Sequence, residues 1–296
     1  MTPRTYADIP GDGGSDVLGQ VVAQRERLAD RMAHVRRVIA VVSGKGGVGK
    51  SALTANLAAT LADRGWRTGA LDADLNGPTL AQMLGARGQA LRLRPGGVEP
   101  AIGVGGVKVM SLDLFLEGDE APVSWQHPGG LAEDAFVWRG AMETTAVREF
   151  LADVIWGELD VLLLDLPPGT ERFCTIAQFL PKLAGLVVTI PSAVSHLVVK
   201  KSVRAIREAD ARLLGLVENM SGYVCPSCWE VGPLFTREPA GKQVAASLGL
   251  PFLGSIPFDP RLALACDEGL PFVLRHPGAP TTQALGKVVE ALGDLA

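Results

Sequence analysis

The chain has 296 residues, of which 47% are hydrophobic, and its formal net charge is -4. This slightly acidic balance gives no overall positive field, which excludes binding driven by bulk charge to nucleic acid or to an anionic membrane. The polar first residues hold no apolar core of a secretory signal, and no apolar run reaches the roughly 18 residues that a membrane span requires. We therefore expect a cytoplasmic protein with neither nucleic acid nor membrane among its partners.

Residues 1–35 are predicted to form a flexible leader and a short helix ahead of the folded domain. The helix is expected within 25–37, where Leu28, Met32 and Val35 recur at the spacing of one apolar helix face. The arginines of this segment are expected on its solvated side.

From residue 36 onward, short apolar runs alternate with helical patterns. The predicted strands span 38–42, 68–72, 107–112, 161–165, 185–190, 212–219 and 252–256, and the main predicted helices span 50–64, 141–156 and 194–209. Several strands are apolar throughout, which is typical of a parallel sheet covered by helices on both faces. The sequence thus predicts a single α/β domain over 36–296. The Gly- and Pro-rich stretches 85–106 and 118–135 are expected to be surface insertions.

The segment SGKGGVGKS, residues 43–51, follows a predicted strand, opens a predicted helix and matches the P-loop pattern G-x-x-x-x-G-K-[ST]. Its glycines allow backbone N–H groups to turn toward phosphate oxygens, and the helix adds its positive dipole end. Lys50 is expected to bridge the β- and γ-phosphates, and the Ser51 hydroxyl is expected to bind Mg²⁺. The predicted phosphate-binding residues are Gly44, Lys45, Gly46, Gly47, Val48, Gly49, Lys50, Ser51 and Ala52.

Three aspartates follow predicted strands, at the edge where open α/β sheets bind ligands. Asp72 and Asp74 lie in LDADLNGPT, and Asp165 ends the hydrophobic strand VLLLD in the Walker B pattern. Asp72 is expected to contact a Mg²⁺-bound water, and Asp74 to orient or deprotonate the attacking water. The Pro-Pro-Gly segment after Asp165 is expected to respond to the γ-phosphate. For each carboxylate the alternative is a helix cap or a turn residue.

Two further polar residues are candidates for contact with a purine base. Asn219 ends one predicted strand and Asp259 follows another, in SIPFDP. A turn-forming role is the alternative for both residues. The chain contains no N-K-x-D sequence, which weakens the case for guanine.

Cys225 and Cys228 form a C-x-x-C pair in YVCPSCW, where Pro226 favours a loop. Zinc sites and [4Fe-4S] clusters usually require four ligands, and one chain offers two thiolates in this segment. A two-fold homodimer would bring two such loops together and complete a four-thiolate site. Dithiol redox chemistry and an inert pair are the alternatives. Cys174 and Cys266 lie in separate apolar helical segments and are expected to pack as small hydrophobic residues.

Lys45 is a second lysine at the start of the P-loop, which the ordinary motif does not need. A solvated loop lysine is one interpretation. The sequence GKGGVGKS also resembles the deviant Walker A motif of the family that includes the nitrogenase iron protein, MinD and ParA. In that family the early lysine reaches the nucleotide of the partner subunit. The resemblance implies a dimer that encloses ATP, with Lys45, Lys50, Asp74 and Asp165 as its catalytic residues.

Most of residues 36–275 resembles the Mrp/ApbC family of P-loop iron-sulfur cluster carrier ATPases. The resemblance rests on IAVVSGKGGVGKS, DADLNGPTLAQMLG, GVKVMSLDLFLEGDE, VWRGAM, GELDVLLLDLPPGT, VSHLVVKKS, LLGLVENMSGYVCPSC and LGLPFLGSIPFDP. It implies ATP hydrolysis in a homodimer, with a labile [4Fe-4S] cluster held between the subunits by Cys225 and Cys228 and passed to apo-proteins. The same matching implies that Asn219, Pro257 and Asp259 contact adenine. Trp138-Arg139-Gly140 matches a family signature of unassigned role.

The chain departs from the family pattern at several positions. Glu171 and Arg172 follow Thr170 where the family usually has Gly and Asp, and Ala52 replaces a usual threonine near the α-phosphate. The stretch 235–243 replaces a Gly-rich segment, and the insertion 123–130 is unfamiliar. We expect these differences to affect hydrolysis rate and client choice more than nucleotide or cluster binding.

Two other functions remain open from the sequence. One is a MinD/ParA-like positioning or regulatory ATPase, in which zinc replaces the cluster and joins the dimer as a structural ion. The other is a regulatory ATPase that uses the thiols as a redox sensor. The C-terminal segment TTQALGKVVEALGDLA is a poor membrane-anchoring helix because it is hardly basic, which disfavours membrane positioning.

Overall fold

The computed structural model describes residues 17–115, 132–235 and 241–295. The helices in these ranges are α1 Val17–Ala33, α2 Lys50–Asp63, α3 Leu80–Met83, α4 Ala132–Asp153, α5 Glu171–Ala177, α6 Ala193–Glu208, α7 Gly241–Ser247, α8 Arg261–Asp267, α9 Phe272–Arg275 and α10 Pro280–Leu295. The strands are β1 Val38–Ser43, β2 Thr68–Asp72, β3 Arg92–Arg94, β4 Gly97–Glu99, β5 Ala101–Ile102, β6 Lys108–Met110, β7 Val161–Asp165, β8 Leu183–Thr189, β9 Arg212–Val224, β10 Val231–Gly232 and β11 Phe252–Phe258.

Nine of these strands form one sheet in the order β10-β9-β8-β1-β7-β2-β6-β5, with β11 also paired to β9. The pairs that link β6, β2, β7, β1, β8, β9 and β11 are all parallel. Only β5 and β10 pair antiparallel in this sheet, at its two ends. Because the central strands run the same way, their C-terminal ends lie along one edge, where ligands bind in such sheets.

Helices cover both faces of the sheet. On one face α2, α3, α9 and α10 pack against Ile39, Val41 and Leu163. On the other face α1, α4, α5, α6 and α7 pack against Val38, Ala40 and alternate residues of the same strands. Central strands are therefore apolar on both faces, and β1, β2, β7 and β8 are buried throughout. The predicted α/β fold, with a mostly parallel sheet flanked by helices, is confirmed.

Several predicted elements differ from the observed ones in length. The first helix begins at Val17 and ends at Ala33, and it buries Leu28 and Met32 in the core that it shares with α4. The helix expected over 141–156 begins earlier, at Ala132. The stretch 85–106 contains the hairpin of β3 and β4 as well as β5, which pairs with β6. The division between leader and domain at residue 36 stays a prediction.

Some sequence features lie outside the described residues. These are the first part of the leader, most of the 118–135 insertion and part of the 235–243 stretch. The Trp138-Arg139-Gly140 signature lies in α4, and its side chains are likewise outside what is described. Within the described ranges, no helix combines the length and the apolar character that crossing a membrane requires.

Strand β9 connects the C-terminal edge of the sheet to the cysteine pair. β9 was predicted to end at Asn219, but it continues to Val224. Its first half pairs with β8 as far as Glu218, and its end pairs with β10 in a hairpin. The strand therefore runs from the C-terminal edge of the sheet directly to the cysteine pair.

Candidate functional site

The P-loop between β1 and α2 adopts a backbone that requires its glycines. Gly47 and Gly49 have φ angles of 78° and 77°, in the left-handed region that residues with a Cβ atom rarely adopt. At Gly44 a Cβ atom would overlap the side chain of Val198 in α6, and at Gly49 it would overlap the Asn219 amide. The glycines thus allow both the turn of the loop and the close approach of α6 and β9.

One cavity at the C-terminal edge of the sheet joins the P-loop to two flanking segments. Its lining consists of residues 46–52 together with Ser43, Asp74, Thr79, Met83 and Pro168. α2 begins at this cavity, so its unpaired N–H groups and its positive dipole end favour an anion there. The structure therefore brings together the P-loop, Asp74 and the Pro-Pro-Gly loop, as the sequence analysis expected, and their roles stay predictions.

The Lys50 ammonium forms a buried ion pair with the Walker B aspartate at the end of β7. Lys50 Nζ lies 2.7 Å from Asp165 Oδ1, and the side chains are 7% and 1% exposed. Thr54, one turn further along α2, donates its hydroxyl to the same Oδ1 atom at 3.2 Å. Removing one partner of such a pair leaves an uncompensated buried charge, which is strongly destabilising. Lys50 can therefore leave Asp165 only when other charges compensate both groups.

The oxygen donors beside this pair fit a magnesium ion. Asp165 Oδ2 is buried and has no hydrogen-bond partner among the described residues. Ser51 lines the same cavity as the phosphate-binding loop. Carboxylate and hydroxyl oxygens are donors that Mg²⁺ accepts beside substrate phosphates. Ser51 and Asp165 thus supply a suitable partial ligand set.

The Asp72 carboxylate organises the loop that follows β2. Thr79 and Leu80 each donate a backbone N–H to Oδ2 at 2.9 Å, and Asp74 donates its N–H to Oδ1 at 3.2 Å. Burial raises the pKa of Asp72 to about 7, and the charge of Asp165 adds to the increase while the backbone hydrogen bonds oppose it. These contacts match the capping alternative, and the predicted contact with a Mg²⁺-bound water stays a prediction.

Asp74 lies in the phosphate cavity and is half-buried. Burial raises the pKa of its carboxyl above the ordinary value, the charge of Lys50 opposes the increase, and the charges of Asp165 and Glu143 add to it. A raised carboxyl pKa suits a general base because it strengthens the affinity for the proton that is removed. The surroundings therefore favour the predicted role of Asp74.

A second polar network, centred on Glu143 of α4, holds the two loops on either side of the cavity. Asn76 donates its side-chain amide to Glu143 Oε1 at 2.8 Å. Arg172, at the start of α5, pairs with the other oxygen of Glu143 and donates to Thr144 Oγ1 at 2.7 Å. Arg172 is therefore a structural link between the loop that contains Asp74 and the loop that follows β7.

Glu143 was not among the predicted site residues, although it directly follows the VWRGAM segment at 137–142. Arg172 was noted only as a departure from the family pattern. An arginine two residues after the Pro-Pro-Gly-Thr segment was a further signal, since it would require a carboxylate partner if buried.

An apolar cavity beside the P-loop matches the predicted base site. β9, β11 and α8 contribute Asn219, Met220, Ile256, Pro257, Phe258 and Leu262, and Gly49 and Ala52 close the side toward the P-loop. Asn219 Nδ2 donates to Val48 O at 2.8 Å, and the Pro257 carbonyl accepts from Thr281 Oγ1 at 3.1 Å. Asn219 and Pro257 thus line the same cavity, and their contact with adenine stays a prediction.

Asp259 is placed differently from Asn219 and Pro257. It does not contribute to the lining of the base cavity. Its carboxylate is fully buried and accepts from Arg261 Nη2 at 2.7 Å, Nε at 3.0 Å and the backbone N–H at 3.0 Å. Burial acts to raise the pKa of Asp259, but the hydrogen bonds and charge of Arg261 outweigh it and the pKa is lowered. The direct contact with adenine stays a prediction, and the observed partner is Arg261.

The cysteine pair lies in the turn of the β9–β10 hairpin. Cys225 donates its N–H to Glu230 O at 2.9 Å, and Trp229 donates its N–H to Cys225 O at 2.8 Å. The backbone N–H groups of Cys228 and Ser227 point at the Cys225 sulfur and lower the pKa of its thiol. The turn thus stabilises a thiolate, the form that binds metals.

One chain provides only part of a metal site at this turn. Cys228 is exposed and Cys225 is partly exposed. Among the described residues, no group of three or more His, Cys, Asp or Glu side chains is arranged to hold a metal ion. Cys174 lies in α5 and Cys266 is buried in α8, where burial raises the thiol pKa of both. The ligands missing at the turn are therefore not supplied by the other cysteines.

Comparison with known proteins identifies the family. The sequence signature of the NUBPL iron-transfer P-loop NTPases, a ParA-type family, matches residues 34–131 and 129–293. The chain belongs to this family. Proteins similar to it include the iron-sulfur cluster carrier protein of Saccharolobus solfataricus, which is 45% identical over 89% of this chain and 85% of the relative. The human cytosolic Fe-S cluster assembly factor NUBP2 is 40% identical over 89% of this chain and 94% of its own length.

Solved structures similar to this family member show the same fold. A nucleotide-binding protein from Archaeoglobus fulgidus, in complex with ADP and with cobalt detected, matches with a TM-score of 0.69 and 33% identity. The match covers 83% of this chain and 91% of that protein. The cell-division ATPase MinD of Pyrococcus furiosus matches with a TM-score of 0.59 over 88% of this chain and 100% of its own, at 24% identity, and so shares the fold. Both the family and the fold expected from the sequence are confirmed.

The raised pKa of Asp72 predicts an unusual dependence of stability on pH in the protein without nucleotide or Mg²⁺. Between about pH 4 and pH 7 the folded protein keeps a proton that the unfolded chain has released, so stability falls as pH rises. Asp72→Asn removes this titration. The free energy of unfolding of the variant minus that of wild type should therefore increase as pH rises through this window. The increase is at most about 1.4 kcal/mol per pH unit.

Urea unfolding of both proteins at several pH values in the presence of EDTA measures this difference. Parallel stability profiles for Asp72→Asn and wild type would contradict the raised pKa.

Proposed function

We propose that this family member is an ATP-hydrolysing iron-sulfur cluster carrier that works as a homodimer. In this proposal each subunit binds ATP at its P-loop, and Cys225 and Cys228 of both subunits hold a labile [4Fe-4S] cluster that is passed to apo-proteins. The observation that supports it most is the incomplete thiolate pair, which lies in the turn directly after the strand that contains Asn219 of the base cavity. The names of the archaeal and human relatives support the same activity and, for the human protein, a cytosolic location.

Symmetry is the simplest way to complete the thiolate site. An isologous two-fold interface brings the same surface patch of both subunits together, so two exposed cysteine turns at the axis give four thiolates. Exposed apolar side chains on α6 and beside the cysteine turn are available for such an interface. Val194 and Leu197 of α6 are 62% and 63% exposed, and Val231 beside the cysteine turn is 52% exposed. We include these three side chains in the proposed interface.

Lys45 is proposed to contact the nucleotide of the partner subunit, and its surroundings support this. Its backbone carbonyl accepts from the Ser43 hydroxyl at 3.0 Å, which fixes the start of the loop. In the described part of the chain, no carboxylate pairs with its ammonium. The neighbouring Gly44 packs on α6, whose Val194 and Leu197 belong to the proposed interface. Lys45 is therefore free to reach across a two-fold axis.

The residues of the phosphate cavity suit hydrolysis of a nucleoside triphosphate. The P-loop N–H groups bind the phosphates, and Lys50 moves from Asp165 to the β- and γ-phosphates. Mg²⁺, when bound by Ser51 and Asp165, offsets phosphate charge. Asp74 orients the attacking water and accepts its proton, which the surrounding charges and burial favour.

A structural zinc in the same four-thiolate site is the second candidate function. Cys₄ coordination is a common zinc site, and the MinD-like fold is shared with ATPases that have other roles. In that case the ion would join the subunits and would not be transferred.

The P-loop assignments predict two different defects. Lys50→Ala should abolish ATP binding, because Lys50 is the cation expected on the β- and γ-phosphates. Asp74→Ala should leave binding within about threefold of wild type and should lower turnover by about 10²-fold or more, the usual contribution of a general base. Equilibrium binding of ATP and steady-state phosphate release measure both effects. Undiminished hydrolysis by Asp74→Ala would refute its catalytic role.

The cysteine assignment predicts loss of cluster binding. Wild-type protein reconstituted anaerobically with iron and sulfide should show broad visible absorption, and Cys225→Ser or Cys228→Ser should lose it. Cys174→Ser is the matched control, because this thiol lies in α5 away from the turn, and should retain the absorption. Tight binding of zinc without uptake of iron would favour the second candidate.

A further inference from the structure

We propose that Arg261 is a positioning residue that couples the base cavity to the cysteine turn. This inference rests on the proposed function, since it concerns communication between bound nucleotide and bound cluster. It identifies the side chain through which occupancy of one site changes affinity at the other.

α8 begins between the two sites, and its first two residues face different neighbours. Leu262 lines the base cavity together with Pro257 and Phe258. Arg261, the residue before it, directs its guanidinium to the Trp229 ring, with a distance of 4.1 Å from Cζ to the ring centroid. A base that displaces Leu262 therefore also displaces the residue that contacts the cysteine turn.

The guanidinium is held in a fixed orientation by the carboxylate of Asp259. Two guanidinium nitrogens and the backbone N–H of Arg261 all donate to this buried group. Such a forked contact restricts the plane of the guanidinium as well as its position, which lysine does not reproduce. The Asp259 carboxylate thus fixes the guanidinium of Arg261 next to the segment 257–259, which borders the base cavity.

On the other side, Arg261 contacts a residue with an unusual backbone. Trp229 follows Cys228 directly, and its φ angle of 63° lies in the left-handed region that a bulky side chain rarely adopts. The residue is 48% exposed, and the guanidinium of Arg261 covers part of its ring. Cation–π contact at this distance is attractive. Arg261 therefore helps to fix the turn in which Trp229 N–H binds Cys225 O.

A second ring contact, between Phe258 and Tyr223, also joins the base cavity to the segment of the cysteine turn. Phe258 lines the base cavity, and its ring stacks on Tyr223 with a centroid separation of 6.4 Å. Tyr223 pairs with Phe258 in the β9–β11 register and lies two residues before Cys225. Phe258 of the base cavity thus contacts the residues before the cysteine turn, and Arg261, next to Leu262 of the cavity, contacts the residue after it. Arg261 is the connection that involves a charged, orientable group.

Coupling through Arg261 has a measurable consequence. If cluster and nucleotide bind cooperatively, each changes the affinity of the other by the same factor. The ratio of Mg-ADP dissociation constants for cluster-free and cluster-loaded protein gives this factor, and ADP avoids turnover during the measurement. We expect a ratio that departs from one by fivefold or more in wild type.

Two variants test the role of Arg261 in this ratio. Trp229→Ala removes the ring from an exposed turn, and Arg261→Lys keeps the charge beside Asp259 while it removes the planar stacking group. Both should bind Mg-ADP in the cluster-free form within about threefold of wild type, and both should bring the ratio to within twofold of one. Arg204→Ala is the control: Arg204 pairs with Glu208 on the exposed side of α6, so this variant should keep the wild-type ratio.

The outcomes separate the inference from the proposed function. A wild-type ratio close to one, with both ligands bound, overturns the coupling and leaves the carrier function intact. A wild-type ratio that persists in Trp229→Ala and Arg261→Lys overturns the role of Arg261. A wild-type protein that takes up no iron-sulfur cluster contradicts the proposed function and removes the coupling with it.

Discussion

The buried ion pair between Lys50 and Asp165 is the constraint around which the nucleotide site is arranged. It joins the P-loop to β7 across 2.7 Å, in a place where each charge would be costly alone. The charge of Asp165 also contributes to the raised pKa of the neighbouring Asp72. Phosphates that enter the cavity must therefore offer Lys50 a replacement anion, while Asp165 needs a replacement cation. Lys50 and Asp165 thus pair with each other where a nucleotide with Mg²⁺ would supply a partner for each.

The parallel sheet also connects the nucleotide site to the cysteine turn. Because parallel strands end at one edge, β1, β2 and β7 bring the P-loop, Asp74 and Asp165 to one cavity. β9 passes the same edge at Asn219 and continues to the cysteine turn. A single strand thus connects the base cavity with the thiolates, and the start of α8 lies between them. Nucleotide and cluster are expected to influence one another because the same short segments contact both sites.

Much of the fold and of the nucleotide site could be predicted from local sequence patterns. β1 and β7 are apolar up to their last residue, and the P-loop glycines specify a loop that few other residues allow, so these strands and the loop were recognised from their own segments. The length of β9 was missed, because its last residues gain their strand conformation from pairing with β10 and β11. Contacts between distant segments were missed for the same reason. Glu143 meets Asn76 and Arg172, and Arg261 meets Trp229, only after folding. Asp259 was assigned to the base from the family pattern, and its observed partner is Arg261, two residues away.

The central claim is that two chains complete one cluster, since each described chain offers two thiolates at its hairpin turn and no larger group of metal-binding side chains. Native mass spectrometry of the anaerobically reconstituted protein tests it most directly, because it reports chain number and bound mass together. The account predicts a species of two chains with one Fe₄S₄ unit and no cluster on single chains. Intact clusters on monomers, or dimers that contain only zinc, would contradict it.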